Sequence, residues 1–201
     1  MKLDTSRTAI VVAVLFLAGC QTTVELPSNV TTVAGTSGQG TYVDKADFSF
    51  DASSGVAFAA LKLCIAETVQ NQAVQLRDGA GSFVGPATGT YYRANNVQTQ
   101  GGGEIFKYSD DSLSTLIATG TTMAAPSTMG LVQDIVRFDL KASVKGSRVG
   151  LLFQNVTRAQ QNTGAAANTG FGPVGAWPGA RAPDVVAALE AVAAKIRGCA
   201  K

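Results

Sequence analysis

Hydrophobic and polar residues alternate without a fault along Val136, Phe138, Leu140, Ala142 and Val144, set against Arg137, Asp139, Lys141, Ser143 and Lys145. A period of two marks a half-buried strand. Gly146-Ser147 follows and suits a two-residue type II′ turn, with glycine at the position that needs a positive φ. That turn pairs Lys145 with Arg148, and the register sets Val144 against Val149, Ala142 against Leu151 and Leu140 against Phe153. The last three of those pairs fall on the apolar face, which is what fixes a register. The next pair, Phe138 with Asn155, is the first mismatch. The pattern predicts a hairpin over residues 135–156, with Arg137, Lys141, Lys145 and Arg148 on a solvated face.

Earlier in the chain, Tyr42, Ala46, Phe48 and Phe50 alternate with Lys45, Asp47, Ser49 and Asp51, predicting another half-buried strand. Ser53-Ser54 offers a helix N-cap. From Val56 to about Gln70 the period changes to that of a helix, with Phe58, Leu61, Ile65 and Val69 in one stripe and Cys64 on its shoulder. Residues 79–90 are rich in turn formers. Strands are expected at 90–99, 104–109 and 114–119, and a loop at 121–129. Pro183 suits the first turn of a final helix, with Asp184 near its positive end. Val185, Leu189, Val192 and Ile196 line one face of it, and Gly198 ends it. Strand, helix, several antiparallel strands and helix make an α+β fold: an antiparallel sheet with the N-terminal-side helix and the C-terminal helix on one face.

Two stretches lack any period. Residues 20–40, rich in Thr, Ser, Gly and Pro, read as a flexible tether ahead of a single domain over 41–201. Residues 158–182 form a long Gly/Ala-rich loop, unusual inside a compact domain and commonly functional or disordered. Phe171 and Trp177 lie in it. They are candidate anchors for a protein partner, because large aromatics on loops serve as interface hot spots; the alternative is that they fold back over one end of the core. Tyr91-Tyr92 with Arg93 present a second candidate aromatic edge, or an ordinary strand.

The first twenty residues have their own logic. Lys2 and Arg7 precede an unbroken apolar segment over residues 9–17, and Leu17-Ala18-Gly19-Cys20 closes it. A basic start, an apolar centre of about ten residues and small residues at the end form an export signal. The run is about half what a membrane-spanning helix needs. Leu17-Ala18-Gly19-Cys20 resembles the lipobox of bacterial lipoproteins. The resemblance implies removal of residues 1–19, a thioether-linked diacylglycerol on Cys20 and a membrane anchor. Gln21, where Asp would mark inner-membrane retention, implies the outer membrane, with the domain facing the periplasm.

Export sets the redox context. Cys64 and Cys199 remain after acylation of Cys20, and an even pair in an oxidising compartment invites a disulfide; two buried thiols on separate helices are the other reading. The formal charge of +2 provides no basic stripe for nucleic acid. The chain contains no histidine, which excludes His-dependent triads and His-Glu-x-x-His zinc sites. Asp110-Asp111 and Glu104 are the nearest candidates for a carboxylate pair, although tight turns also favour Asp. Gly170-Phe171-Gly172-Pro173-Val174-Gly175 fits G-x-G-x-x-G in letters only, since Pro173 removes a donor and no helix opens within it. No cofactor or metal is expected. The sequence therefore points to a non-enzymatic envelope lipoprotein that docks another envelope component. The alternative is a small-ligand or lipid binder with an apolar pocket between sheet and C-terminal helix.

Overall fold

The computed structural model describes residues 23–36, 40–52, 56–127, 130 and 132–200. Cys20, the expected export signal ahead of it and Ser53-Ser54 lie outside the described residues. The main sheet is antiparallel. It runs in the order β1 (Val30–Ala34), β2 (Thr41–Asp51), β10 (Arg148–Gln160), β9 (Asp134–Lys145), β8 (Thr115–Met123), β7 (Phe106–Asp110), and β11 (Gly172–Pro173) pairs with β10. Helices α1 (Phe58–Thr68) and α2 (Ala182–Cys199) pack on one face of it, giving the α+β architecture.

The β9–β10 hairpin has the register that the alternation demands. Arg148 faces Lys145, Val149 faces Val144, Leu151 faces Ala142 and Phe153 faces Leu140. Gly146 takes φ 61°, the sign a type II′ turn requires. The strands continue past the expected ends because the Phe138–Asn155 mismatch is removed by a bulge. Gln154 pairs with Asp139 and Thr157 with Arg137, so Asn155 and Val156 together oppose Phe138. Asn155 takes a left-handed φ of 53°, which asparagine tolerates, and its Nδ2 donates to Asp139 Oδ2 at 2.8 Å. Val156 then turns inward and is buried beside Phe153.

β2 carries a matching irregularity. Thr31 pairs with Lys45 but Thr32 with Val43, leaving Asp44 as the extra residue. The pairing of β2 with β10 stops at Lys45–Gln154, next to both bulges. Beyond that point residues 172–176 lie between the two strands. Thr157 and Arg158 of β10 pair with Pro173 and Gly172. On the other side Val43 N–H donates to the Val174 carbonyl at 2.9 Å, and Ala176 N–H donates to the Thr41 carbonyl at 2.8 Å. The stretch 158–182 is thus no loose loop: its backbone satisfies strand edges that the splayed sheet leaves open.

The tether expected over 20–40 also changes. β1 lies inside it as an edge strand, and Val24 N–H donates to the Ala176 carbonyl at 2.9 Å. Its side chains are largely exposed, so no apolar period announces it. Strand β8 likewise runs to Met123, into the stretch expected to be loop.

The core sits between sheet and helices. Leu61, Ile65 and Val69 from the α1 segment and Val185, Leu189, Val192 and Ile196 from α2 meet Leu116, Phe138, Leu140, Leu151 and Phe153. Gly120 of β8 permits the closest approach, since a Cβ there would collide with Val69 Cγ1. α1 starts at Phe58 with Ala57 at the N-cap and no side-chain cap. α2 continues through Gly198, so Cys199 belongs to its last turn. Cys64 and Cys199 are bonded, with Cα atoms 5.7 Å apart, tying the two helices across 135 positions of sequence. Closing so long a loop restricts the unfolded chain strongly, and the double variant Cys64→Ala/Cys199→Ala should lose about 2–5 kcal/mol in denaturant unfolding. Peptides containing the two cysteines should stay joined in non-reducing mass spectrometry of the purified protein.

Candidate docking surface

Residues 161–171 carry a small second layer on the face of the sheet away from the helices. Its base is a ribbon of β3 (Val74–Asp78) and β6 (Asn96–Gln100), paired from Val74–Gln100 to Asp78–Asn96. Leu76 is fully buried against Ile135 and Ala159, with Val74 and Phe171 packed around them. Phe171 is therefore half-buried against this cluster rather than standing free as an anchor. The Arg137 guanidinium lies 3.9 Å from its ring centroid, so Arg137 leaves the solvated face expected of it and covers the aromatic.

Asp78 and Asn168, both buried, fasten the ribbon to the segment. Asp78 accepts from Asn96 Nδ2 at 2.7 Å and from the backbone N–H groups of Ala80 and Asn168 at 2.9 Å each. Asn168 Nδ2 donates to the carbonyls of Gln160 (2.8 Å) and Arg77 (3.3 Å), and its Oδ1 accepts from Gly170 N–H at 3.1 Å. Gln98 Nε2 donates to the Asn168 carbonyl at 3.0 Å. Backbone bonds add to this, from Arg77 N–H to Gln161 O (2.8 Å) and from Gly79 N–H to Gly164 O (2.6 Å). The Asn96 amide, followed by the Asn168 and Ala80 N–H groups, holds the Asp78 carboxyl below the usual carboxylate range.

From this base projects a hairpin of β4 (Phe83–Val84) and β5 (Tyr91–Tyr92). Ser82 closes its foot, donating to the Gly79 carbonyl at 2.7 Å and accepting from Ala94 N–H at 2.9 Å. Phe83 and Tyr92 stack with centroids 4.9 Å apart. Even so, Phe83, Val84, Tyr91 and Tyr92 are 56%, 59%, 61% and 48% exposed. A polar recess of about 400 Å³ lies at the foot, lined by Arg77, Ser82, Arg93, Asn95 and Asn162 among others. Tyr91-Tyr92-Arg93 was visible in sequence as an aromatic edge. Phe83-Val84 was hidden among turn formers, although two apolar pairs flanking a Gly- and Pro-containing stretch are themselves a hairpin signal.

Trp177 occupies the other flank of the segment. It packs edge-on against Tyr42 at 5.3 Å and over Gly175, and is 38% exposed. Between it and α2 lies a buried ion network. Asp134, with no exposure, sits 3.1 Å from Arg158 Nη1 and 3.0 Å from Arg181 Nη1, and Arg181 Nε reaches Asp184 at 3.0 Å. Arg181 also donates to the carbonyls of Val132 and Ala125, while adopting φ 62° just before the helix. No sequence signal marks these partners, which come from three separate stretches.

The carboxylates raised as catalytic candidates do not converge. Asp110 caps its own turn, and the Ser112 hydroxyl (2.6 Å) and Leu113 N–H (3.1 Å) hold its carboxyl low. Asp111 pairs with Lys62 at 3.0 Å, and Glu104 is exposed. Among the described residues no group of three or more His, Cys, Asp or Glu is placed to hold a metal ion, and no helix is long and apolar enough to cross a membrane.

Because the Asp78 carboxyl is low in the folded state, it stabilises the protein above about pH 4, the unfolded value. That contribution disappears as pH falls through the folded value. Asp78→Asn should lower the melting temperature at neutral pH and flatten the loss of stability on acidification. A melting curve measured from pH 7 to 3 reads both effects.

No protein-family model matches the chain, and no curated protein matches it. A solved structure described as that of a DUF4468 family protein from Bacteroides ovatus ATCC 8483 is similar at a TM-score of 0.42 and 10% identity, over 86% of this chain and 84% of that one.

Proposed function

We propose that the protein is a lipid-anchored envelope protein that holds another envelope component through its β4–β5 hairpin, without catalysing a reaction. The observation that carries this reading is the hairpin's four exposed apolar side chains, mounted on a base fixed by Asp78 and Asn168. The register puts the Phe83–Tyr92 pair on one face of the hairpin and the Val84–Tyr91 pair on the other, and exposed large apolar side chains grouped in this way mark interaction surfaces. A rigid base lowers the ordering cost that binding would otherwise carry. Arg77 and Arg93 beside the aromatics select a partner with an apolar recess edged by carboxylates. The export signal and Cys20 support an acylated N-terminus, and Gln21 supports placement in the outer membrane with the domain in the periplasm.

A second reading has one specific support. A cleft of about 380 Å³ opens between the end of α1, β3, β8 and α2, with Val69, Val74, Ile135, Phe138 and Val192 in its walls. Its size suits a small apolar ligand, but Gln70, Gln72, Gln75 and Gln161 share the lining.

Cross-linking of the lipidated protein in intact cells, followed by identification of the joined proteins, separates the readings. Phe83→Ala with Tyr92→Ala should remove a discrete cross-linked partner while leaving the melting temperature near that of the parent. Each substitution should cost about 2 kcal/mol, near thirty-fold in Kd. Capture unchanged in the double variant, together with a small apolar molecule that co-purifies with the protein in mass spectrometry, would favour the ligand reading instead.

A further inference from the structure

The distance between Cys20 and the folded body is set by Val24, whose N–H is bonded to the Ala176 carbonyl. Only Gln21, Thr22 and Thr23 separate the two residues. At about 3.3–3.6 Å per residue, four steps reach at most about 14 Å. On the reading that Cys20 is acylated, no long leash exists, and the Ala176 end of the sheet is held next to the bilayer. We infer that this end rests in the lipid headgroup layer, with Trp177 and Val33 as its interfacial contacts.

The residues at that end suit such a neighbour. Trp177 follows Ala176 directly. Its ring lies edge-on to Tyr42, and Val33 sits opposite Tyr42 in the β1–β2 pair. Val33 is 52% exposed and Trp177 38% exposed, and Pro173 and Pro178 beside them are exposed as well. Tryptophan and tyrosine favour the boundary between headgroups and acyl chains, where an apolar body meets a polar tip. Glu25, also exposed, is next to Val24 and speaks against attraction by anionic lipid. The contact is apolar and aromatic in character and should depend little on salt.

The chain holds one tryptophan, so tryptophan emission excited beyond the tyrosine absorption band reports this end alone. The full chain, expressed with its export signal and purified in lipidated form, is reconstituted into phosphatidylethanolamine/phosphatidylcholine vesicles. Mass spectrometry of the N-terminal peptide first establishes the acyl mass on Cys20. The emission should then lie to the blue of that from the unacylated Cys20→Ser protein. It should lose intensity with lipid brominated near the headgroup, and resist iodide. Insertion of ten Gly/Ser residues after Thr23 should relax the blue shift and the bromine quenching while the protein stays in the membrane fraction.

An acylated protein whose emission stays open to iodide and indifferent to brominated lipid overturns the inference and leaves the anchor intact. Shielding from iodide without bromine quenching also overturns it, since a protein or a second copy then covers the end. A Cys20 without acyl mass removes the anchor itself, and both readings with it.

Discussion

The fold depends on how β10 keeps Val149, Leu151, Phe153 and Val156 facing the helices across a break in its alternation. Strict alternation fails at Asn155, which would otherwise turn an amide into the core against Phe138. The bulge there restores Val156 to the inner face and strengthens the local twist. Together with the extra residue at Asp44, it parts β2 from β10 and exposes backbone groups on both. Unpaired N–H and C=O groups at that depth are costly, and residues 172–176 satisfy them.

That insertion determines what else the segment does. Before β11 it must follow the end of β10, and in doing so it carries Asn168 to Asp78 and so fixes the ribbon and its hairpin. After β11 it places Trp177 on Tyr42 and Arg181 on Asp134, whose carboxylate also meets Arg158. A fully buried carboxylate left without its arginines is strongly destabilising, by about 3–5 kcal/mol. Both proposed surfaces are thus mounted on one irregular stretch whose own backbone is tied down on each side.

What the sequence discloses follows from where the stabilising interactions are periodic. The β9–β10 register, the Leu61–Ile65–Val69 stripe and the α2 face are legible because burial repeats with the backbone period. The disulfide partners were nameable by count, and their approach follows from the two helices sharing one face of the sheet. The 161–181 segment was not legible. Asn168 and Val174 act through backbone groups up to 131 positions away, Val174 accepting from Val43, and such bonds leave no local pattern. β1 is hidden for the opposite reason: at the sheet edge its Val and Thr residues stay largely exposed, and composition there resembles a spacer. In the candidate site, Tyr91-Tyr92 stands out in the sequence, while Trp177 and Phe171 share one aperiodic stretch that the structure divides between two places. Trp177 covers a sheet end, and Phe171 is half-buried with an arginine over its ring.

Native-state hydrogen exchange tests the central claim directly, because the amides in question belong to separate stretches of the chain. If residues 161–181 complete the sheet, the Val43, Arg77, Asn168 and Ala176 amides should exchange only through global unfolding, with the same free energy as amides of Leu140 and Phe153. Exchange of those four at the rate of open loops, while the β9–β10 hairpin stays protected, would contradict the account.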